Sequence, residues 1–276
     1  MIHFSASIHT QRISVKCFTL RSGDSLGVKK YGDREVIDLS EWGRPIARVM
    51  ANFLKEKPIS VMQVTNIHFV LSLYCAWLIY EGSTILACSL LIVKGVIDAV
   101  DGELARMRER PSHVGRYWDT VADTLGLVAV MWAFATQLNW EVAFTGAMIL
   151  ATLFQYSLFN HYSILMRALG SGDDTSRIDE RVRPVAHPWE KQSNVNFLHF
   201  IYLCFFSWQD RIISALTGKG SEKLVFELTV SSSLGYGAQS IVIFLLALTQ
   251  NLDYLPHLVL GVNGSLMALV ILRSRI

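Results

Sequence analysis

Long apolar stretches separated by short polar ones dominate the chain from residue 64 onward. Six of them, about 64–81, 84–104, 117–137, 142–162, 228–249 and 255–272, suit membrane-spanning helices, which need roughly 20 mostly apolar residues. Gly and Ser within the last two runs suit close helix packing in lipid. A seventh run, Phe197 to Trp208, has 12 residues and is too short to span, so a re-entrant or interfacial segment is expected there. Upstream, Leu39, Trp42, Ile46, Val49, Met50, Phe53 and Leu54 recur at helical spacing, with Arg44, Arg48, Lys55 and Lys57 between or just after them. That pattern predicts an amphipathic helix over 38–56. Such a helix could lie on a soluble domain, but the apolar segment that follows favours the membrane interface. Residues 1–37 hold no continuous apolar core and scatter Arg12, Lys16, Arg21, Lys29 and Lys30. They are expected to be a polar cytoplasmic extension, not a cleavable signal, ahead of a membrane domain over 38–276.

Charge sets the expected orientation. Basic residues cluster before the first run (Arg44, Arg48, Lys55, Lys57), between the second and third (Arg106, Arg108, Arg110, Arg116), after the fourth (Arg167, Arg177, Arg181, Arg183, Lys191), before the fifth (Lys219, Lys223) and at the end (Arg273, Arg275). The intervening loops 81–83, 139–141 and 250–253 contain no Lys or Arg. Six spans with both termini in the cytoplasm account for this asymmetry, whereas a seventh would strand one basic cluster on the far side. Composition agrees: 51% of residues are hydrophobic and 17% charged, against about a quarter charged in soluble domains. The net charge of +2 gives no case for a nucleic-acid partner. Cys17, Cys75, Cys88 and Cys204 form no CxxC pair, and the last three sit in apolar runs as small buried hydrophobes.

The candidate chemistry lies where the second run meets the third. Asp98 and Asp101 are three residues apart and share a helix face; Asp119 and Asp123, four apart, share another. Gly102 and Ala105 continue the first face, Arg106 follows, and Gly115 stands one turn before Asp119. Ionisable groups at membrane depth are costly and mark function. Four carboxylates gathered there would repel one another unless cations are bound, and hard oxygen donors suit Mg²⁺ or Mn²⁺. Four are enough for two divalent ions, an arrangement that clamps phosphoryl oxygens during in-line displacement. Gly102 would let a phosphate approach the backbone, and Arg106 offers its fork of donors to a diphosphate.

Written out, the spacing is D-x2-D-G-x2-A-R-x8-G-x3-D-x3-D from Asp98 to Asp123. In this motif the chain resembles the CDP-alcohol phosphotransferase family, and the six-span layout extends the resemblance over most of 38–276. The resemblance implies that Asp98, Asp101 and Asp119 are metal ligands and that Asp123 both ligates and acts as general base. It implies that Gly102, Ala105, Arg106 and Gly115 line the CDP pocket. The implied reaction moves a substituted phosphate from a CDP-linked donor to an alcohol and releases CMP; a CDP-diacylglycerol type of donor is expected, with a soluble CDP-alcohol donor and a diacylglycerol acceptor as the alternative. A homodimer is implied as well.

The sequence departs from the family before the first span. Where members carry a Pro-Asn pair in a pattern like I-T-P-N-x-V-T, Val61 and Met62 stand instead, while Val64 and Thr65 fit. His113 reads as a solvated loop residue rather than a phosphate contact. The cluster Arg167, Arg177, Arg181 and Arg183 is explained by topology, with an acceptor phosphate or anionic headgroups as alternatives. Trp132, Trp140 and Tyr156 read as belt and packing residues. A cation-coupled transporter using the same aspartates is the rival function, although no internal repeat is visible.

Overall fold

The structure, a computed structural model, describes residues 31, 36–108, 110–169, 182–217 and 224–275. Most of the expected 1–37 extension lies outside the described residues, as do Cys17, Arg177, Arg181, Lys219 and Lys223. Among the described residues every regular element is helical. In chain order these are α1 (Arg44–Leu54), α2 (Val61–Tyr80), α3 (Thr84–Met107), α4 (His113–Gln137), α5 (Val142–Leu169), α6 (Gln192–Phe205), α7 (Ser207–Thr217), α8 (Leu224–Ser232), α9 (Tyr236–Leu248) and α10 (Asn263–Arg273).

Five stretches are long and apolar enough to cross a membrane: α2, α4, α5, the α8–α9 pair and Leu252–Arg273. They make this a multi-pass membrane protein. Helix α3 has 24 residues, so its length of about 36 Å would suffice. However, it carries Lys94 near its middle and Asp98, Asp101, Glu103 and Arg106 in its second half.

Helix α2 starts at Val61, with no proline in its first turn. A capping box takes its place: the Gln63 N–H donates to Ser60 Oγ (3.1 Å), and the Ser60 N–H donates to Gln63 Oε1 (2.8 Å). Helix α1 seats Ala47 and Ala51 against α3, beside Val100 and Leu104. Ile46, Val49 and Phe53 point away from the protein. The basic side chains behave differently from a solvated polar face, because Arg44 and Arg48 turn inward to Glu103 of α3 (2.7 and 3.6 Å). Arg108 at the end of α3 donates to the carbonyls of Leu54 (2.8 Å), Lys55 (3.1 Å), Lys57 (2.9 Å) and Ile59 (2.6 Å). It thereby satisfies the orphan carbonyls at the end of α1 and pins the α1–α2 loop.

The 197–208 run is not one segment. It falls within α6 and α7, which part at Phe206 and pack on α4 and α5 respectively. The 228–249 run is also broken. The hydroxyls of Ser231, Ser232 and Ser233 donate to the carbonyls of Leu228 (3.2 Å), Thr229 (2.7 Å) and Val230 (2.7 Å), competing with helix propagation. Residues 38–42 dock into the gap. The Leu39 N–H donates to Ser232 Oγ (2.9 Å), the Gly237 N–H to Ser40 Oγ (2.9 Å) and Trp42 Nε1 to the Gly237 carbonyl (3.0 Å). A Cβ on Gly237 would lie 1.9 Å from the Ser40 carbonyl oxygen, so only glycine permits this approach. Ahead of α10, the helix widens to a π-turn over His257–Val262. Buried Gln155 of α5 donates to the Val259 carbonyl there (2.8 Å) and accepts from Gln239 and Asn263 (3.1 Å each).

Candidate active site

Helix α2 packs along both α3 and α4 and fills the angle between them. Its inward stripe carries Thr65, His68 and Ser72, three buried polar residues of a mostly apolar helix. Asp98 and Asp101 come to this stripe from α3, and Asp119 and Asp123 from α4. His68 stands at the centre. Its Nε2 is 3.2 Å from Asp119 Oδ1, 3.4 Å from Asp101 Oδ2 and 3.8 Å from Asp98 Oδ1, and its Nδ1 is 3.7 Å from Asp123 Oδ1. Thr65 Oγ1 donates to Asp101 Oδ2 (2.8 Å). Three of the aspartates singled out by spacing, Asp98, Asp101 and Asp119, thus gather on Nε2, while Asp123 faces the other ring nitrogen, Nδ1.

The floor of the site is closed and its mouth is open. The side chains of His68, Lys94 and Asp101 are 0%, 4% and 8% exposed, whereas those of Asp119 and Asp123 are 34% and 39% exposed. Lys94 donates to Asp123 Oδ1 (2.5 Å) and lies 3.6 Å from Asp98 Oδ2. Its ammonium sits 4.4 Å from the centre of the Tyr236 ring, and the Tyr236 hydroxyl donates to the Leu91 carbonyl (2.8 Å). The break between α8 and α9, held by residues 38–42, thus sets the start of α9 and with it the ring that covers Lys94. Beside Asp123 and Lys94, a cavity of about 100 Å³ extends between Tyr156 and Tyr236 to Phe134.

A divalent metal fits this donor set. Four carboxylates face one ammonium and one imidazole, so at least two negative charges remain unbalanced, a costly state at membrane depth. One donor atom each from His68, Asp98, Asp101 and Asp119 lies within 4.8 Å of the others, close enough to share an ion.

The remaining motif positions flank this centre. Arg106 folds back over Gly102, where an added Cβ would come within 3.3 Å of its guanidinium. Glu103 Oε1 holds that guanidinium at 3.2 Å and also binds Arg44, so one buried carboxylate gathers both arginines. Ala105 is half-buried on α3. Gly115 lies in the first turn of α4, and its N–H donates to the N-cap Ser112 Oγ (2.8 Å). Glu190 closes that helix end, accepting from Ser112 Oγ (2.7 Å) and the Val114 N–H (2.8 Å). Burial pushes the Glu190 carboxyl up, but the Val114 N–H, the Ser112 hydroxyl and the His187 N–H outweigh it and hold the group below the ordinary carboxylate range. His113 is no bare loop residue: its ring stacks on His187 (4.7 Å), which stacks on Trp189 (5.1 Å).

Spacing alone passed over His68, Lys94, Glu103 and Glu190. The first two carried a usable signal, since each is an ionisable side chain inside an otherwise apolar run. Glu103 stands beside Gly102 without being one of the motif's fixed positions, and Glu190 lies far from α4 in sequence.

Comparison with known proteins agrees with this geometry. The CDP-alcohol phosphatidyltransferase family profile matches residues 60–217, more than half of the chain. The chain belongs to that family. It is also similar to archaetidylinositol phosphate synthase of Pyrococcus horikoshii, with 30% identity over 103 residues, or 37% of this chain and 54% of that protein. The chain spans about half the length of that relative.

Proposed function

We propose that the protein transfers a substituted phosphate from a CDP-linked lipid donor, of the CDP-diacylglycerol type, to an alcohol, with release of CMP, in phospholipid synthesis. The observation that carries this reading is the gathering of four aspartates from α3 and α4 around His68 in one partly open site, in a chain of this family. Asp98, Asp101 and Asp119 are the metal ligands, and Asp123 is both ligand and base. Two divalent ions, Mg²⁺ or Mn²⁺, would stabilise charge developing on the phosphoryl oxygens and on CMP.

The protein's own groups supply the rest. Asp123, the most exposed carboxylate of the four, takes the proton from the acceptor hydroxyl as its oxygen attacks the β-phosphorus. The bond from that phosphorus to the CMP oxygen breaks, and CMP departs with the electron pair. Arg106, steadied by Glu103, faces the diphosphate, while Gly102, Ala105 and Gly115 leave room for the nucleotide. Lys94 and Tyr236 orient Asp123 from below.

The membrane arrangement belongs to the same proposal. Helix α3 is the sixth span, its charged half sheltered against α2 and α4. Helix α1 lies in the interface, which its outward Ile46, Val49 and Phe53 favour. The site and both termini face the cytoplasm, residues 1–37 precede the 38–276 membrane domain, and the protein works as a homodimer.

Purified protein with Mg²⁺ or Mn²⁺, a CDP-lipid and a panel of alcohols should release CMP. The name of the Pyrococcus relative puts inositol phosphate first in that panel. Asp123→Ala should lower the rate by about 10²–10⁴ while the protein remains folded. Near-normal turnover in that variant would remove Asp123 as base, and CMP release from no donor–acceptor pair would remove the transferase reading.

A further inference from the structure

We infer that His68 is a fifth metal ligand, giving this centre a nitrogen donor and a preference for Mn²⁺ over Mg²⁺. This rests on the reading that the aspartates bind divalent cations. His68 comes from α2, outside the aspartate motif, and its side chain is fully buried.

Geometry makes the case in three ways. First, an ion about 2.1 Å from each ligand in an octahedral site places neighbouring donor atoms about 3.0 Å apart and opposite ones about 4.2 Å apart. The separations of His68 Nε2 from Asp119, Asp101 and Asp98 are 3.2, 3.4 and 3.8 Å, all inside that interval. Second, an imidazole nitrogen carries at most one N–H, which can serve one acceptor. Three carboxylate oxygens surround Nε2, more than one proton can satisfy, whereas a lone pair aimed at a shared cation gives all four atoms one partner. Third, buried Nδ1 makes no hydrogen bond and faces Asp123 Oδ1 at 3.7 Å. A metal-bound imidazole typically directs its other ring nitrogen at a carboxylate, which fixes the tautomer and the ring.

A nitrogen donor among oxygens changes metal choice. All-oxygen sites suit Mg²⁺, while imidazole favours later first-row ions, and Mn²⁺ accepts both donor types. Helix α2 is also locked against rotation here, because Thr65, one turn earlier, is bonded to Asp101.

The test uses the full-length protein in detergent, loaded with Mn²⁺. Pulsed electron paramagnetic resonance should show ¹⁴N modulation from an imidazole. That modulation should disappear in His68→Gln and should change to the ¹⁵N pattern when histidine is ¹⁵N-labelled. Mn²⁺ affinity in His68→Gln should fall by about 10-fold or more, with a smaller loss for Mg²⁺. The wild-type spectrum alone decides the matter if the variant fails to fold. Mn²⁺ that binds, depends on Asp101 and shows no imidazole modulation would overturn the proposal and leave the four-aspartate centre standing. Mn²⁺ binding that is indifferent to Asp101→Asn would remove both.

Discussion

Glu103 offers the sharpest test of how stability and substrate binding are joined. Its side chain is 1% exposed and lies 2.7 Å from Arg44, 3.2 Å from Arg106 and 3.6 Å from Arg48. Glu103→Gln keeps the shape and removes the charge, leaving three guanidinium groups around a neutral amide. Breaking a buried ion pair from one side costs about 3–5 kcal/mol. Two features favour the lower end. Arg44 keeps a second carboxylate, Glu41 at 2.6 Å, and the Arg48 side chain is 28% exposed at a longer distance, so its pair contributes little. A loss of about 3 kcal/mol should lower the apparent melting temperature in detergent by roughly 5–10 °C. Arg106 loses its ion pair with Glu103 in the same variant. The KM for the CDP donor should rise about 10-fold with a smaller change in kcat, as expected for binding that helps ground and transition states alike. Unaltered melting would refute the buried-pair argument. Unaltered KM with lowered stability would detach Glu103 from the nucleotide pocket.

Other expectations follow from the same contacts. Gly237→Ala should force residues 38–42 away from the α8–α9 break and lose three hydrogen bonds, about 3 kcal/mol by thermal unfolding, since each contributes about 1 kcal/mol; a variant as stable as the parent would show that the approach can relax. Asp101→Asn should abolish binding of divalent ions by calorimetry without unfolding the protein, because Thr65 can still bond the amide. Glu190, whose folded pKa is lowered, adds stability that is complete above its ordinary value of 4.5 and is lost as acid titrates it. The advantage of wild type over Glu190→Gln should therefore be constant near neutrality and shrink below about pH 4.5. An advantage that survives in acid would contradict the sign.

Helical periodicity made much of this legible in the residue order. Spacings of three and four put Asp98 with Asp101 and Asp119 with Asp123, and in the structure both pairs face His68, three of the four at Nε2 and Asp123 at Nδ1. Five of the six long apolar runs matched stretches able to span, since burial in lipid demands continuous apolar length, whereas the charged 84–104 run did not. What failed to show were features that depend on contacts between distant residues. The serine run 231–233 read as small packing residues, but its hydroxyls compete for carbonyls and a segment nearly 200 positions earlier fills the gap, as the 193-residue separation of Leu39 and Ser232 records. The cation-rich loop after α3 read as topological charge, yet Arg108 is spent on backbone carbonyls of the α1–α2 loop. His68 showed only as an ionisable side chain inside an apolar run, because the carboxylates it meets come from α3 and α4.

The Gln155 amide carries a mechanical consequence. Its oxygen and nitrogen tie together α5, α9 and the widened turn before α10, so three membrane helices share one polar joint. Sliding any of them by a single residue would leave amide groups and a free carbonyl facing hydrocarbon, at several kcal/mol for each. This part of the bundle is therefore a fixed block against which substrate entry must occur.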